Sequence, residues 1–541
     1  MQIDLATAWE EVTDLFPNRN AINCDGIALN WREFESRASQ LATLLTTNGL
    51  GKNSKVGLYL HNCNEYVEAS FAAFKIEASP VNLSYRYKAD DLVYLLDNAD
   101  VEAIFFQSCY AMRIWEIRDR LPKIKLFVQV DDGTEGLLKG AMDYERALRS
   151  LDPAVRIQRD LSSDYLFYTA GTTGLPKGVV HEIGAFSSYF IVQLSFRYGL
   201  GPPTQIEEYR ELLTEINGSV VSLPACPLMH ETGSWLGCFL PMLSGGSIVM
   251  SSSRGFNPDV CLNLVEQYRV TDLVFAGDAF AKPILQSLDF ASKRDDPYDL
   301  SSLNHIVSSG VTWSPKVKRS LLNYCDATMT DKVMAVEGVL GTSASRREAP
   351  DPDVRPSRFD LVEGALFLSE SGEVLGPNEE GVGRVATNAL VPSGYWKDQE
   401  KSVATFLEID GVRYSAFGEY VSVNADGSFV LLGRDEVSIN TADGKIFPGE
   451  IEEIIKQFKG VADCMVVGAS DGEDVEKIVA LISSEDESDI NGSAIKEFVQ
   501  GQLADSKVPD IVLKVVEIRR SPTGNGDYRW GKVTANKQTQ I

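Results

Sequence analysis

Histidines, paired cysteines and long apolar runs are scarce in this chain of 541 residues. The eight cysteines are scattered and form no C-x-x-C pair, and none of the four histidines lies near paired cysteines. We therefore expect no zinc site. Such cysteines are typical of reduced, mostly buried thiols in a cytoplasmic protein. No apolar run approaches the roughly 20 residues that span a bilayer. The N-terminal MQIDLATAWEEVTDLF carries acids before any apolar run, unlike a secretory signal.

Basic residues are in deficit: 51 Lys and Arg stand against 77 Asp and Glu, a formal net charge of -26. A general nucleic-acid binder is therefore not expected, because such proteins neutralise phosphates with basic faces. A small anionic ligand is not excluded, since it needs only a local cluster of donors. The length predicts more than one domain.

Short apolar runs alternate with helical patterns over most of the chain, which predicts an α/β fold with mixed, largely parallel sheets and flanking helices. Ligands in such folds bind beyond the carboxyl ends of strands. The predicted strands are SKVGLYL, VEAIFF, KLFVQV, DYLFYTA, GSIVM, TDLVFAG and LNHIVSSG.

The pattern changes near residue 410. Alternating residues around a turn at Asn424–Gly427 predict antiparallel strands. After Arg434 a helix, two strands, a helix and a strand predict a small α+β domain. We therefore expect a large N-terminal domain, residues 1–433, and a small mobile C-terminal domain, residues 434–541. The segment YRELLTEI resembles an amphipathic surface insertion.

The stretch YTAGTTGLPKGVVH, from Tyr168 to His181, concentrates groups that bind phosphate. Its glycines let backbone N–H groups approach an anion, its threonines add hydroxyl donors, and Lys177 adds positive charge behind Pro176. An ordinary Gly/Thr turn is the alternative, but the length of the run and the strand before it favour phosphate binding. The candidate residues are Thr169, Gly171, Thr172, Thr173, Gly174 and Lys177.

YTAGTTGLPKGVV resembles the phosphate-loop signature of the adenylate-forming superfamily, which includes acyl-CoA synthetases, adenylation domains and luciferases. PLMHETGSW, FAGDAFAKPIL and IVSSGVTWSPKVKRSLL resemble the branch that acts on fatty or steroid-derived acids. The resemblance covers nearly the whole chain. It implies that a carboxylate attacks ATP to form an acyl-adenylate, commonly followed by transfer to coenzyme A. Many relatives dimerise, so a homodimer is compatible with it.

The resemblance implies roles for several residues. His230 would line the acyl pocket; a histidine bonded within the core is the alternative. Ser309, Gly310 and Val311 occupy the place of an adenine-contacting run, although a strand-to-helix turn would look the same. Gly233 would let a helix start close to the substrate, or would serve helix packing.

LGTSA resembles an aromatic-Gly-x-Thr-Glu motif, so Leu340, Gly341, Thr342 and Ser343 are expected to form an adenine and phosphate wall. Ala344 then replaces the glutamate that helps hold Mg2+, and Glu337 is expected to point elsewhere. We therefore assign no protein ligand to a metal, although substrate phosphates and water supply most Mg2+ ligands in such sites.

Glu419 stands where the family has an aspartate that accepts the ribose hydroxyls, and Arg434 matches an arginine that contacts ribose or phosphate. A solvent-facing acid and a hinge salt bridge are the alternatives. Val437 falls at the hinge position. Asn525 replaces the lysine that bridges carboxylate and α-phosphate, a loss of about 3 kcal/mol of stabilisation. Lys445 and Lys532 are the candidate substitutes; surface lysines are the alternative.

Three functions remain open from the sequence. The first is an ATP-dependent acyl-CoA ligase with an atypical site, acting on a carboxylic acid, ATP and CoA. The second is a divergent enzyme on this scaffold that activates another nucleophile or lacks adenylation. The third is a nucleotide- or acyl-binding pseudoenzyme, since a fold alone does not establish function.

Overall fold

The computed structural model describes residues 1–169, 176–311, 313–349, 357–376, 379–442, 444–470, 475–484, 490–521 and 524–539. The α-helices are α1 (Leu5–Leu15), α2 (Trp31–Thr47), α3 (Asn64–Lys75), α4 (Ala89–Asn98), α5 (Ala111–Ile117), α6 (Tyr144–Leu148), α7 (Ile183–Arg197), α8 (Ile206–Ile216), α9 (Leu240–Leu243), α10 (Pro258–Tyr268), α11 (Asp278–Lys293), α12 (Pro315–Leu321), α13 (Gln399–Thr405), α14 (Pro448–Ile455), α15 (Gly492–Gln500) and α16 (Tyr528–Thr539). A π-helix covers Thr232–Phe239, and 3₁₀ turns cover Ser108–Tyr110, Arg118–Arg120, Asp435–Val437 and Asp505–Lys507.

The strands are β1 (Asn20–Cys24), β2 (Ile27–Asn30), β3 (Lys55–Tyr59), β4 (Ser79–Asn82), β5 (Val101–Gln107), β6 (Leu126–Val130), β7 (Met142–Asp143), β8 (Asp164–Thr169), β9 (Lys177–Glu182), β10 (Val221–Pro224), β11 (Ser247–Met250), β12 (Asp272–Phe275), β13 (His305–Ser309), β14 (Thr328–Ala335), β15 (Gly338–Ser345), β16 (Arg358–Leu361), β17 (Leu366–Ser369), β18 (Gly381–Ala386), β19 (Gly394–Tyr395), β20 (Phe406–Ile409), β21 (Val412–Ser415), β22 (Glu419–Val423), β23 (Phe429–Arg434), β24 (Ile439–Thr441), β25 (Gly444–Ile446), β26 (Val461–Ala469), β27 (Lys477–Ser484) and β28 (Ile511–Lys514).

The largest sheet runs in the order β17-β18-β22-β23-β16-β15-β14-β13-β12-β10-β11-β1-β2. Its strands from β14 through β13, β12, β10 and β11 to β1 are parallel, and those from β14 to β17 are antiparallel. The parallel strands read as short apolar runs because helices cover both faces. The three strands predicted in this sheet, GSIVM, TDLVFAG and LNHIVSSG, are confirmed as β11, β12 and β13. The mixed α/β class is confirmed as well.

A second, parallel sheet has the order β4-β3-β5-β6-β7, and a small antiparallel sheet has the order β19-β9-β8. The phosphate-loop strand β8 belongs to this small sheet, not to a parallel one. The loop follows the carboxyl end of β8, but β8 pairs antiparallel with β9 and is not one of the parallel strands.

The small C-terminal part forms its own layer. The order β26-β27-β28 makes a three-stranded sheet, with α14 and α16 contacting β26, and the hairpin β24–β25 precedes it. Since β23 is the last strand of the large sheet and ends at Arg434, we keep our proposed boundary between residues 433 and 434. The turn predicted at Asn424–Gly427 joins β22 to β23.

Three other expectations have simple outcomes. The helix α8 is amphipathic, but its apolar face is packed: Tyr209, Leu212, Leu213 and Ile216 are buried. The eight cysteines are all free, and only Cys109 is partly exposed. Within the described part of the chain, no helix has the length and apolar character needed to cross a membrane.

Candidate active site

The base of the phosphate loop is fixed by hydrogen bonds, although Gly171, Thr172, Thr173 and Gly174 lie outside the described residues. Thr169 ends β8 and pairs with Lys177 at the start of β9. Asn82 at the end of β4 donates to the carbonyls of Tyr168 and Met229 and accepts from the Tyr168 N–H, at 2.8–2.9 Å. One buried amide thus ties the loop to the segment that precedes His230.

Two lysines meet one carboxylate beside this loop. Lys177 Nζ lies 3.8 Å from Oε1 of Glu436, and Lys401 Nζ lies 3.9 Å from the same oxygen. Burial and the adjacent Lys177 lower the pKa of Lys401, which shows that the two cations are close. Since Glu436 lies in the 3₁₀ turn after Arg434, this cluster joins the large domain to the C-terminal one.

A second cluster surrounds Glu337, in the turn between β14 and β15. The Tyr395 hydroxyl donates to Glu337 Oε1 at 3.0 Å. Burial raises the pKa of Glu231, with a further increase from the charge of Glu337 and an opposing effect of Arg434. Arg434 itself pairs with Glu419 at 2.6 Å, and the charge of Glu419 raises its pKa. Two neighbouring carboxylates and a guanidinium therefore lie near the lysine cluster.

His230 immediately precedes this region and is neutral. Burial and the charge of Arg86 lower the pKa of His230 to about 4. Its Nε2 atom is buried and has no hydrogen-bond partner in the described structure. A buried imidazole nitrogen without a partner is unfavourable unless a ligand supplies one, which favours the pocket over the core alternative. Gly233 serves packing: a Cβ there would lie 2.3 Å from the Pro227 oxygen.

The loop that carries Asn525 lies against the large domain. A Cβ built on Gly524 would be 3.1 Å from Ala279 and 3.6 Å from Val311. Arg86 donates to the Arg520 carbonyl at 3.1 Å. The structure therefore brings Asn525 next to the Ser309–Val311 run, where Gly310 has φ +91 and faces Thr232.

Residues 9–336 match the family described as AMP-binding enzyme, and residues 450–526 match the AMP-binding enzyme C-terminal domain. A 3-oxocholest-4-en-26-oate–CoA ligase of Rhodococcus rhodochrous is 33% identical over 540 residues, 98% of this chain and 96% of the relative. The chain belongs to the AMP-binding enzyme family. A medium/long-chain-fatty-acid–CoA/3-oxocholest-4-en-26-oate–CoA ligase of Mycolicibacterium smegmatis is 32% identical over 545 residues, again 98% and 96% of the two chains.

Solved structures share the fold of this AMP-binding enzyme. The anthranilate CoA ligase AuaEII in complex with anthranoyl-AMP has a TM-score of 0.83 at 20% identity, covering 100% of this chain and 98% of the other. ATP-bound MatB from Rhodopseudomonas palustris has a TM-score of 0.79 at 19% identity, covering 98% and 99%. The adenylate-forming fold is thereby confirmed.

Leu340, Gly341, Thr342 and Ser343 are not brought to the clusters. They lie inside β15, where Leu340 is buried and Gly341 packs against Phe429. Ala344 is exposed on the same strand. The glutamate at the end of β14 is Glu337, seven residues earlier. Our expectation that Glu337 points elsewhere is wrong, because the turn after β14 directs it toward Tyr395 and the lysines.

The remaining predicted residues lie at or near the junction. Lys445 binds Asp435 and lies 5.3 Å from the ring of Tyr420, so it is a junction residue. Lys532 pairs with Glu476 at 3.3 Å within the C-terminal domain, which favours the surface alternative. Val437 is buried in the 3₁₀ turn. Their roles toward ligands stay predictions.

The donor set fits Mg2+ only together with substrate phosphates. Among the described residues there is no group of three acidic, histidine or cysteine side chains that would hold a metal alone. Glu337 and Glu231 supply two carboxylates, and burial, together with the charge of Glu337, raises the pKa of Glu231. Mg2+ commonly binds through one or two carboxylates plus phosphate oxygens.

Sequence reasoning missed Lys401, Glu436, Glu231, Tyr395 and Asn82. Glu231 lies within PLMHETGSW, a segment that resembles the family. Lys401 and Tyr395 lie within GYWKDQEKSVATF, Glu436 within GRDEVSIN and Asn82 within SPVNLSYRYK. No pattern in the sequence shows that these segments meet.

We predict that Glu337→Gln lowers the rate of acid-dependent pyrophosphate release about 100-fold, because a carboxylate that helps neutralise the phosphates is lost. Glutamine can still accept from Tyr395, so folding should be retained. Ala344→Glu is the matched control and should leave the rate unchanged. A higher rate of pyrophosphate release for Ala344→Glu, together with an unchanged rate for Glu337→Gln, would contradict this prediction. The acidic position of the motif would then lie in LGTSA.

We also predict that Lys401→Met weakens Mg-ATP binding about tenfold, since one charge-assisted contact is removed in a half-buried setting. Lys397→Met, just before the same helix, should leave binding unchanged, because Lys397 pairs with Asp100 at 2.7 Å. Calorimetric titration measures both, and equal affinities for the two variants would place Lys401 outside the site.

Proposed function

We propose that this AMP-binding enzyme is an ATP-dependent acid–thiol ligase. A carboxylate attacks the α-phosphorus of ATP, forming an acyl-adenylate and releasing pyrophosphate. The thiol of coenzyme A then attacks the acyl carbon and AMP leaves. The observation that carries the proposal is the cluster of Lys177, Lys401 and Glu337 beside the β8–β9 pair, which Asn82 ties to the segment that precedes His230.

Each cluster has a separate task in this reaction. Lys177 and Lys401 bind the phosphate tail in place of Glu436, since an ammonium favours a polyanion over one distant carboxylate. Glu337 and Glu231 would hold Mg2+, which neutralises phosphate charge when bound. The Ser309–Val311 run contacts adenine, and Glu419 with Arg434 contacts ribose or phosphate.

His230 orients the acid instead of transferring a proton. With a pKa of about 4 its imidazole is neutral near pH 7, so it offers one N–H and one acceptor nitrogen but no charge. A neutral donor at this position stabilises the carboxylate oxygen without forming an ion pair that would weaken its attack. Activity should therefore show no titration of His230 between pH 6 and 8.

The substrate is a large hydrophobic carboxylic acid. The named relatives act on fatty acids and on 3-oxocholest-4-en-26-oate, and identity with them extends over 98% of the chain. The same support covers ATP and coenzyme A as co-substrates. Cytoplasmic localisation and a homodimer remain our predictions.

A second candidate is favoured by Asn525. An enzyme without the bridging lysine would work slowly in adenylation yet still use a preformed acyl-adenylate or acyl-CoA. The docked position of the Asn525 loop is compatible with this function too. A pseudoenzyme that binds nucleotide without turnover is the third.

The functions are separated by incubating the protein with ATP, Mg2+, CoA and a panel of fatty and steroid acids. Acid-dependent pyrophosphate release with acyl-CoA formation is the expected result. Product from a synthetic acyl-adenylate alone would support the second candidate. Nucleotide binding without either product would leave only the third.

We predict that Asn525→Lys raises the adenylation rate up to about 100-fold, because one preorganised donor is worth about 3 kcal/mol in the transition state. Thioester formation from a synthetic acyl-adenylate should change little, since the lysine acts on the first step. Gln538→Lys, exposed on α16 of the same domain, is the control for added charge. An unchanged rate with Asn525→Lys would remove catalytic meaning from this position.

A further inference from the structure

Lys332 lies within β14 and projects from the sheet face opposite that of its neighbour Asp331. Side chains alternate along a strand, and Asp331 points to the face where it lies 3.5 Å from Lys318. Strand register places Lys332 beside Ser309, and Thr330 beside Val307, on the other face. The Ser309 hydroxyl donates to the Lys332 carbonyl at 3.0 Å, which fixes this register at the end of β13.

This face also carries the elements around His230. The π-helix Thr232–Phe239 packs on it through Gly237, where a Cβ would lie 3.5 Å from Val274. The carboxyl end of α7 reaches it through Arg197, which binds Asp272 at the start of β12. Lys332 therefore lies on the same side of the sheet as the proposed acyl pocket.

The covering of this face is incomplete. Val307, Thr330 and Lys332 are only half-buried, although they occupy central strands of the sheet. Their neighbours on the opposite face, Ile306 and Met329, are fully buried. Partly exposed side chains in the middle of a helix-covered sheet indicate a groove between the strands and α7.

The ammonium of Lys332 has no counter-ion in the described part of the chain. The charged or titratable groups on this face are Arg197 and Asp272, which bind each other, His305 with the nearby Arg346, and Asp360, which lies two strands away across Thr342. Burial and the charge of Arg197 lower the pKa of Lys332 to about 8. A cation removed from water without a partner is unfavourable, and on the groove wall a ligand can supply that partner.

We propose that Lys332 is a specificity-determining residue that binds a second carboxylate of the acid substrate. The inference rests on the proposed function and names dicarboxylic acids as preferred substrates. A neutral oxygen would leave the ammonium uncompensated, so an anion fits better. The last residue of β14, Ala335, is three residue steps from Lys332, roughly 10 Å, so the two carboxylates belong to a chain of medium length.

The test compares three acids of equal length: decanedioic acid, its monomethyl ester and decanoic acid, with dodecanedioic acid and its analogues as a second set. The ester fills the same space without the distal charge. The ratio of kcat/KM for diacid over ester is measured in the wild type, Lys332→Met, Lys332→Arg and the exposed control Lys293→Met. Thermal melting checks that each variant is folded.

We expect the wild-type ratio to exceed one and Lys332→Met to lower it about 10- to 100-fold, the range for a hydrogen bond to a charged group. Lys332→Arg should retain most of the ratio and Lys293→Met all of it. A wild-type preference for ester, or a ratio that Lys332→Met leaves unchanged, overturns the inference while turnover of decanoic acid preserves the proposed function. Absence of turnover with every acid overturns both.

Discussion

Attraction between two lysines and the carboxylate of Glu436 gathers positive charge at one place in this acidic chain. With a net charge of -26, the protein repels a triphosphate nearly everywhere, so binding depends on cations gathered at one place. The β8–β9 hairpin supplies Lys177, α13 supplies Lys401, and the 3₁₀ turn after Arg434 supplies Glu436. If these lysines bind phosphate as we propose, phosphate competes with Glu436 for the same ammoniums, and nucleotide uptake is then linked to the position of the C-terminal domain.

The secondary structure was predictable where burial requires a local run of apolar residues. Strands β3, β5, β6 and β12 are short apolar runs that helices cover on both faces, and such runs need no tertiary information to be recognised. The C-terminal helices and strands follow the same rule. The pairing partner of β8 and its direction were not predictable, since an apolar run does not show which strand will lie beside it.

The position of the acidic motif needed the structure. A glycine and hydroxyl residues in LGTSA satisfy a short pattern as well as the sequence around Glu337 does, and seven residues separate the two. Sheet register decides between them: β14 is parallel to β13 and ends at the site, whereas β15 returns antiparallel into the core. Likewise Lys401 and Glu436 are 35 positions apart in sequence, and only the fold makes them neighbours.

With Glu337 at the proposed site, the loss of adenylation rate depends mainly on the replacement of the family's lysine by Asn525. If both the acidic residue and the lysine were absent, two independent losses would multiply and adenylation would nearly vanish. With Glu337 present, the main departure is one missing donor, about 3 kcal/mol or 10²–10³ in rate. Enzymes typically accelerate reactions by 10⁶-fold or more, so a deficit of that size leaves substantial catalysis. The Asn525 loop also still contacts the large domain beside Val311, and an amide side chain can donate a hydrogen bond although it carries no charge. A slowed ligase therefore explains the site better than a binding protein, which would have no need of both carboxylates and both lysines.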